Sequence, residues 1–473
     1  MITFRPIALV VVLALSSACA SWPPLGAPSP DYRGETSGGY RFANIVATRR
    51  NDGLLLVVAT SGGGARAASF AYGVFRQLNA DRVPTPIGML PLAKRIDVIS
   101  AVSGSSIPAA YWVLHGDDFF REFPEQFLYR NVDKDLRHLF LSPRNLWRLA
   151  SHRYARGDMF ADYVGARYFD EATFAEFIAR KDAPFLIINA TDLSTGTRFE
   201  FTQDKFDLLC LDLARYPIGR AVAASAALPP LATPVTLLNR NGECSESRPG
   251  WIAKALLEGS ASGRRYQLAQ DLSRYLQPDL YPYLHLADGA FADNLGLRVV
   301  IDALARLSPG SGSPVPVDNV AANLAVFVIV NASTRAGVAV ARSAQAPGEV
   351  ATLRLAGSVP VDRLAADTRV DLQNELQRWL VLTGRRNEPG PATRVHIIDV
   401  DLRDIVDRDR RESLLLLPTN FNLQRRDIDS LICAGGRLLR GSSEYASTLS
   451  ELGGAKSQDG VREFCVAARW PES

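Results

Sequence analysis

An α/β layer fold around a mostly parallel sheet is what this chain predicts, and three observations carry that reading. Short unbroken apolar runs recur at Leu54–Ala59, Phe185–Asn189, Leu324–Val330 and Val395–Val400, the pattern of strands buried on both faces. Helix-length segments separate them, as crossovers between parallel strands require. Twice a run breaks at small residues and passes into helix-compatible sequence, at Thr60-Ser61-Gly62-Gly63-Gly64 and at Val102-Ser103-Gly104-Ser105.

Taken in order, Leu54–Ala59 leads through the glycines into Ala65–Phe75, whose small and apolar residues fall at helical spacing. The next strand, Asp97–Val102, ends at Ser103. Pro108 is acceptable in the first turn of the helix that follows through Tyr111. Residues 117–182 are rich in aromatics and Arg, with helical patterning around Phe120–Leu128 and Phe174–Ala179, and read as a helical insertion or cap over the sheet. After the strand Phe185–Asn189, the alternation in Arg198-Phe199-Glu200-Phe201 predicts a half-exposed strand. Ile218–Leu228 is an Ala-rich helix stopped by Pro229-Pro230, Tyr283–Ala287 a strand ending at Asp288-Gly289-Ala290, and Leu297–Leu307 a helix. A long amphipathic helix near Val361–Leu382 separates the last two apolar strands, and a final helix covers Leu423–Leu439. There is no internal repeat, and no linker after Gly39 is long enough to split the chain.

At 473 residues, 47% hydrophobic and 22% charged, the composition is that of a globular protein. A net charge of +3 is too small to point to nucleic acid, and Arg408, Arg410 and Arg411 alternate with acids as on a solvated face. At the N-terminus Arg5 precedes the apolar run Ile7–Leu15 and then Ser16-Ser17-Ala18-Cys19-Ala20. That is the layout of a secretory signal peptide over residues 1–20, too short to span a bilayer. Cleavage after Ala20 would release a periplasmic or secreted protein. Leu15-Ser16-Ser17-Ala18-Cys19 also resembles a bacterial lipobox, with Ser16 where an aliphatic residue is usual, which implies lipidation of Cys19 and anchoring to a membrane surface of the cell envelope. The Pro- and Gly-rich residues 21–45 then read as a tether. Cys210, Cys244, Cys433 and Cys465 are an even set compatible with two disulfides in an oxidising compartment, in any of three pairings. No cysteine spacing resembles a zinc site, and no metal or cofactor is expected.

Three glycines between strand and helix expose successive N–H groups at a helix N-terminus. The Gly-Lys-Ser/Thr ending of a nucleotide P-loop is absent. Gly62-Gly63-Gly64-Ala65-Arg66-Ala67 fits only the Ala-ended variant of a dinucleotide fingerprint, whereas an oxyanion hole needs no more than aimed N–H donors. Ser103 sits where a nucleophile elbow would place it, with Ala101 and Ser105 in the positions usually held by glycine. A serine nucleophile requires a base. The order Ser103, Asp288, His396 would match a hydrolase triad, although His396 lies inside an apolar strand; His285, three residues before Asp288, faces the other way along its strand. Asp288 ends a strand and is followed by Gly289, which leaves its carboxylate at the sheet's rim.

Together, Gly62-Gly63-Gly64-Ala65-Arg66, Ala101-Val102-Ser103-Gly104-Ser105 and Asp288-Gly289-Ala290-Phe291-Ala292-Asp293-Asn294 resemble the patatin-like phospholipase family, the calcium-independent lipid acyl hydrolases. Ala223-Ala224-Ser225-Ala226-Ala227-Leu228-Pro229-Pro230 is similar to that family's Ala/Ser-rich helix before a proline turn. The resemblance implies a three-layer α/β/α fold, with a catalytic core over residues 46–340 and residues 341–473 completing the same domain. It also implies a Ser103–Asp288 dyad without a catalytic histidine, and an oxyanion hole from Gly62, Gly63, Gly64 and Gly104. Arg66 stands at the family's basic position, as head-group or structural support. The implied activity is acyl transfer from a lipid ester to Ser103 followed by hydrolysis. Two alternatives accompany it: a Ser–Asp–His esterase using His396, and a lipid- or partner-binding lipoprotein with a decayed elbow, favoured by Ala101 and Ser105. The acids from Asp399 to Asp409 fail the EF-hand pattern and read as charged surface.

Overall fold

Eight of the ten strands among the described residues form one sheet. In chain order they are β1 (Leu54–Thr60), the hairpin β2 (Arg82–Thr85) and β3 (Gly88–Pro91) that stands apart from the sheet, β4 (Val98–Val102), β5 (Phe185–Asp192), β6 (Thr197–Glu200), β7 (Val235–Leu238), β8 (Tyr283–Asp288), β9 (Leu324–Asn331) and β10 (Arg394–Asp401). The spatial order is β10-β9-β1-β4-β5-β8-β7, with β6 also paired to β5. The computed structural model describes residues 26–28, 38–42, 44, 53–151, 153–229, 232–244, 249–258, 263–306, 323–334, 338–341, 343–382, 394–458 and 460–471. The signal peptide, Cys19 and most of the tether lie outside the described residues.

β10, β9, β1, β4 and β5 run parallel. Strands β4, β5 and β9 are buried along their whole length, as their unbroken apolar runs require. The flanking helices are α1 (Gly64–Ala80), α2 (Ser106–His115), α3 (Arg156–Tyr168), α4 (Ile218–Ser225), α5 (Arg298–Arg306), α6 (Glu349–Leu382) and α7 (Arg425–Gly441). Between α2 and β5 the shorter helices Phe119–Phe123, Val132–Phe140, Pro143–Leu149 and Phe174–Ala179 accompany α3 and make up the aromatic-rich insertion. From the C-terminal part of the chain, β10 pairs with β9 in register His396↔Val326, and α7 packs along α1. A Cβ on Gly73 would fall 2.1 Å from the Ile432 carbonyl oxygen, and one on Gly435 2.3 Å from that of Phe70. The two helices therefore touch backbone to backbone.

Three expectations need correction, and one strand gains a direction that the sequence left open. Arg198–Phe201 is not half-exposed: Arg198 and Glu200 are buried, joined at 2.7 Å, and satisfied further by Asp302 at 2.8 Å and Lys205 at 3.1 Å. Ion-pair partners outside the strand, Lys205 and the distant Asp302, carry that burial, so alternation misreads it. The strand ending at Asp288 is antiparallel to β5. The Ala-rich helix stops at Ser225 rather than Leu228, because the Ala227 carbonyl turns to accept the Asp288 N–H at 3.1 Å. Finally, α6 begins at Glu349, about three turns before Val361, and carries Pro360 inside it.

The cysteines pair as Cys210–Cys244 and Cys433–Cys465, closing sequence separations of 34 and 32 residues. Loops of that size stabilise by about 2–4 kcal/mol each through the unfolded chain. Reduction should lower the urea midpoint accordingly, and Cys433→Ser should reproduce about half of the loss, since that bridge, which fastens α7 to the C-terminal helix Arg462–Ala467, closes a loop close in size to the other. Equal midpoints for the oxidised and reduced protein would exclude the pairing.

Candidate active site

Asp288 and Ser103 reach each other from opposite directions. Val102, the last residue of β4, pairs with Asn189 of β5, while Asp288, the last residue of β8, pairs with the next residue, Ala190. The β5 N–H groups that bond β4 and β8 are those of odd-numbered residues, Phe185 to the Asp97 carbonyl and Leu193 to that of His285. Alternation along a strand puts both partners on the same side of β5. Strand β8 thus continues where β4 stops, and the two chain ends abut. The result is a hydrogen bond of 2.6 Å from the Ser103 hydroxyl to Asp288 Oδ2.

Ser103 has φ 55°, a left-handed conformation costing on the order of 1–2 kcal/mol for a residue with a Cβ. Three neighbours hold it there. The Ser103 N–H donates to Ser225 Oγ at 2.8 Å, and the Ser225 hydroxyl donates to the Asn189 carbonyl at 2.6 Å. The Ser106 hydroxyl donates to the Ser103 carbonyl at 2.6 Å. Ser105 Oγ lies within hydrogen-bond distance of the carbonyl and the hydroxyl of Thr60, at 3.1 and 2.9 Å, fastening the elbow to the end of β1. A hydroxyl at position 105 is thus used, not merely tolerated, and Ala101 is fully buried beside it.

Asp288 is buried. Its Oδ1 accepts the Ala290 N–H at 2.9 Å and its carbonyl accepts the Thr191 hydroxyl at 2.9 Å. Burial pushes its carboxyl up to about 6, against the smaller opposing pull of the Ser103 and Ala290 hydrogen bonds. Ser225 and Ala227 meet this residue too: their carbonyls accept the N–H groups of Gly289 and Asp288, each at 3.1 Å. The turn at the end of α4 therefore holds both members of the pair.

The glycine loop lies directly on the serine. A Cβ on Gly62 would sit 3.0 Å from Ser103 Cβ, and one on Gly104 2.2 Å from the Gly64 carbonyl oxygen. The expected donor set needs one revision. Gly62 N–H is already bonded to the Asn294 carbonyl at 3.1 Å and to its side-chain oxygen at 3.2 Å, which leaves Gly63, Gly64 and Gly104 as the candidate donors beside Ser103. Arg66 is buried, and its three guanidinium nitrogens go to the Ala332 carbonyl at 2.8 Å, the Leu417 carbonyl at 2.7 Å and the Thr419 hydroxyl at 3.4 Å. Desolvation lowers its pKa to about 10. Those partners favour structural support over head-group contact.

His396 is on the edge strand β10, separated from β4 by β9 and β1, and its Nε2 faces Glu451 at 3.0 Å. His285 faces Thr236 at 3.1 Å. Neither reaches Asp288, so the triad through His396 is not formed. The acids of β10 meet arginines: Asp399 with Arg369, and Asp401 with Arg403. Ser225 and Asn294 are the site residues that sequence reasoning passed over. The Ala/Ser-rich helix and the Asp-Gly turn drew attention to their surroundings, yet a hydrogen bond between segments 122 residues apart, as between Ser103 and Ser225, leaves no local mark.

No curated protein matches the chain. Among solved structures it is similar to human GIVD cytosolic phospholipase A2, with TM-score 0.41 and 14% identity over 90% of this chain and 63% of that one. The same enzyme in complex with methyl gamma-linolenyl fluorophosphonate gives TM-score 0.41 and 14% identity over 90% and 62%. The chain thus spans less than two thirds of the length of those proteins. In sequence, the family described as patatin-like phospholipase matches residues 58–301. That match takes in just over half of the chain and every strand end that meets at Ser103, and it makes this protein a member of the patatin-like phospholipase family.

Proposed function

We propose that the protein is a lipid acyl hydrolase working through Ser103 and Asp288. The observation that carries the proposal is the 2.6 Å hydrogen bond between the two side chains, within a family of phospholipases. Ser103 Oγ attacks the acyl carbonyl carbon as its proton passes to Asp288. The carbonyl oxygen becomes an oxyanion against the N–H groups of Gly63, Gly64 and Gly104, each such donor contributing about 3 kcal/mol. Asp288 returns the proton to the departing alcohol, leaving an acyl ester on Ser103. A water then gives its proton to Asp288 and attacks that ester, and the proton returns to Ser103 as the fatty acid leaves. Direct contact lets one carboxylate serve both halves without an intervening imidazole. The hydroxyl contacts of Ser105 support an intact elbow over a decayed one.

Cys19 is read as the lipidated N-terminal residue of an exported protein. Two disulfides support an oxidising compartment, and the N-terminal sequence supports the anchor. A diacylglyceryl mass on the Cys19 peptide is the expected finding.

A fluorophosphonate probe should label wild-type protein and fail to label Ser103→Ala; labelling at another residue would end the proposal. The pH dependence follows from Asp288. Its active form is the carboxylate, so kcat/KM should climb as pH rises through about 6 and then level off. In the unfolded chain the same carboxyl ionises near 3.8, so this residue costs folding stability progressively as pH rises between the two values. Asp288→Asn should therefore abolish turnover, by roughly a thousandfold or more, with an undiminished melting temperature at pH 8.

Ser225→Ala removes the acceptor of the Ser103 N–H and leaves a buried donor costing roughly 1–3 kcal/mol. The expected result is a kcat lower by about ten- to a hundredfold with KM and the position of the acidic limb unchanged. A shift in KM alone would exclude the positioning role.

A further inference from the structure

We propose that the helix pair Val132–Phe140 and Pro143–Leu149 seats the protein on an anionic lipid surface, with Leu141 and Trp147 entering the apolar layer and the flanking cations resting on head groups. The purpose of this contact depends on the hydrolase reading; the contact itself depends on the features that follow.

Charge is sorted by direction. Between Asn131 and Arg156 the exposed charged side chains among the described residues are Lys134, Arg137, Arg144, Arg153 and Arg156, all basic. The acids of the segment turn inward: Asp133 takes the backbone N–H of Phe421, and Asp135 accepts the Tyr163 hydroxyl at 2.8 Å. A face this one-sided belongs to a chain whose total charge is only +3.

Exposed apolar side chains alternate with those cations along the segment. Phe140 and Leu141 close the first helix, Leu146 and Trp147 stand on the second, and Leu141 is 67% exposed. Both helices are firmly built. Asn131 and Ser142 cap them through the N–H groups of Lys134 and Asn145. Arg148 is tucked under the second, 2.9 Å from Asp162 and 3.6 Å from the centre of the Tyr154 ring. Cations interleaved with Leu, Phe and Trp on a rigid amphipathic element match the charge and the polarity gradient of an anionic bilayer interface.

The patch is also linked to the active site. Phe421, which Asp133 holds, is within ring contact of Phe127 and Phe160 of the insertion. Its neighbour Asn420 accepts the Ala65 N–H at 2.8 Å, and a Cβ on Gly64 would lie 2.6 Å from the same carbonyl. The surface proposed to meet lipid therefore leads in two contacts to the glycine loop over Ser103.

The test is co-sedimentation of the full chain carrying Cys19→Ala, so that no attached lipid contributes, with vesicles of phosphatidylcholine alone or mixed with phosphatidylglycerol. Binding to the mixed vesicles, lost in 0.5 M salt, is the expected result. Each cation near such a surface is worth roughly a fivefold change in affinity. Lys134→Glu/Arg137→Glu/Arg144→Glu together should thus weaken binding by about a hundredfold or more. Leu141→Asp should weaken it with the cations intact. All variants should keep wild-type turnover of a soluble short-chain ester, which reports folding. Sedimentation requires no catalysis, so failure of the hydrolase reading would appear separately as no ester turnover in wild type. Equal binding to both vesicle types, unchanged binding by the variants, or a concentration-dependent dimer that Leu141→Asp abolishes would each overturn the proposal.

Discussion

Backbone touches backbone where the Ser103 turn meets the glycine loop, and the geometry of the site depends on that contact. Strands β1 and β4 are parallel neighbours in register Thr60↔Ala101, so the loops that leave them emerge one strand spacing apart, about 4.8 Å. Neither loop has room for a side chain on the facing side. Gly104 lies against Gly64, and Gly64, at φ +60°, lies against Asn420. With Cβ atoms excluded, the main chains of two loops close on Ser103 with no side chain between them. Parallel pairing imposes the closeness; glycine turns it into a concave donor surface.

The reversed direction of β8 answers a different requirement. A parallel strand beside β5 would present an aspartate pointing away from the elbow's end, at the height of the loops. An antiparallel strand brings its last residue down to the level of Val102, where Ser103 begins. Burial then does two things to Asp288. It removes competing water from the bond to Ser103, and it raises the carboxyl to about 6, near the range in which a base both holds its charge at neutral pH and takes up a proton readily. A nearby cation would hold the carboxylate too acidic for that work. Arg66, the basic residue closest in sequence to the glycine loop, is committed to main-chain carbonyls and a hydroxyl.

What was legible in the sequence was local. Glycine triplet, serine corner and Asp-Gly turn are each written in a few consecutive residues, and the apolar runs mark β1, β4, β5, β9 and β10. What was not legible depended on partners far away in the chain. The direction of β8 is set by its pairing with β5 and β7, about which the residues Tyr283–Asp288 are silent. Arg198 and Glu200 alternate as an exposed edge would, and only Lys205 and Asp302 reveal that they are buried. Gly62 looked equivalent to Gly63 and Gly64 until Asn294 took its N–H. Ser225 carried no signal of its own, since its hydroxyl works between β5 and the elbow.

These distant partners also fix what the loop around Asn420 can do. Arg66 holds it from below through Leu417 and Thr419, and the Phe127–Phe421–Phe160 contacts hold it from the side of the insertion. Between those anchors Asn420 presses on Gly64, the residue that lies against Gly104 of the serine turn. Close-packed contacts transmit displacement because no void is available to absorb it. A shift of the insertion must therefore be taken up either by the Phe421 rings or by the loop, and any part the loop takes reaches Gly64. The Ser103–Asp288 pair has further supports of its own in Ser225 and Thr191, and Ser105 ties its turn to Thr60, so it meets this route only where Gly104 lies against Gly64. Ser103 and Asp288 are thus held chiefly by the strand ends and α4, while the glycine loop beside them is held in part by the insertion and the loop around Asn420.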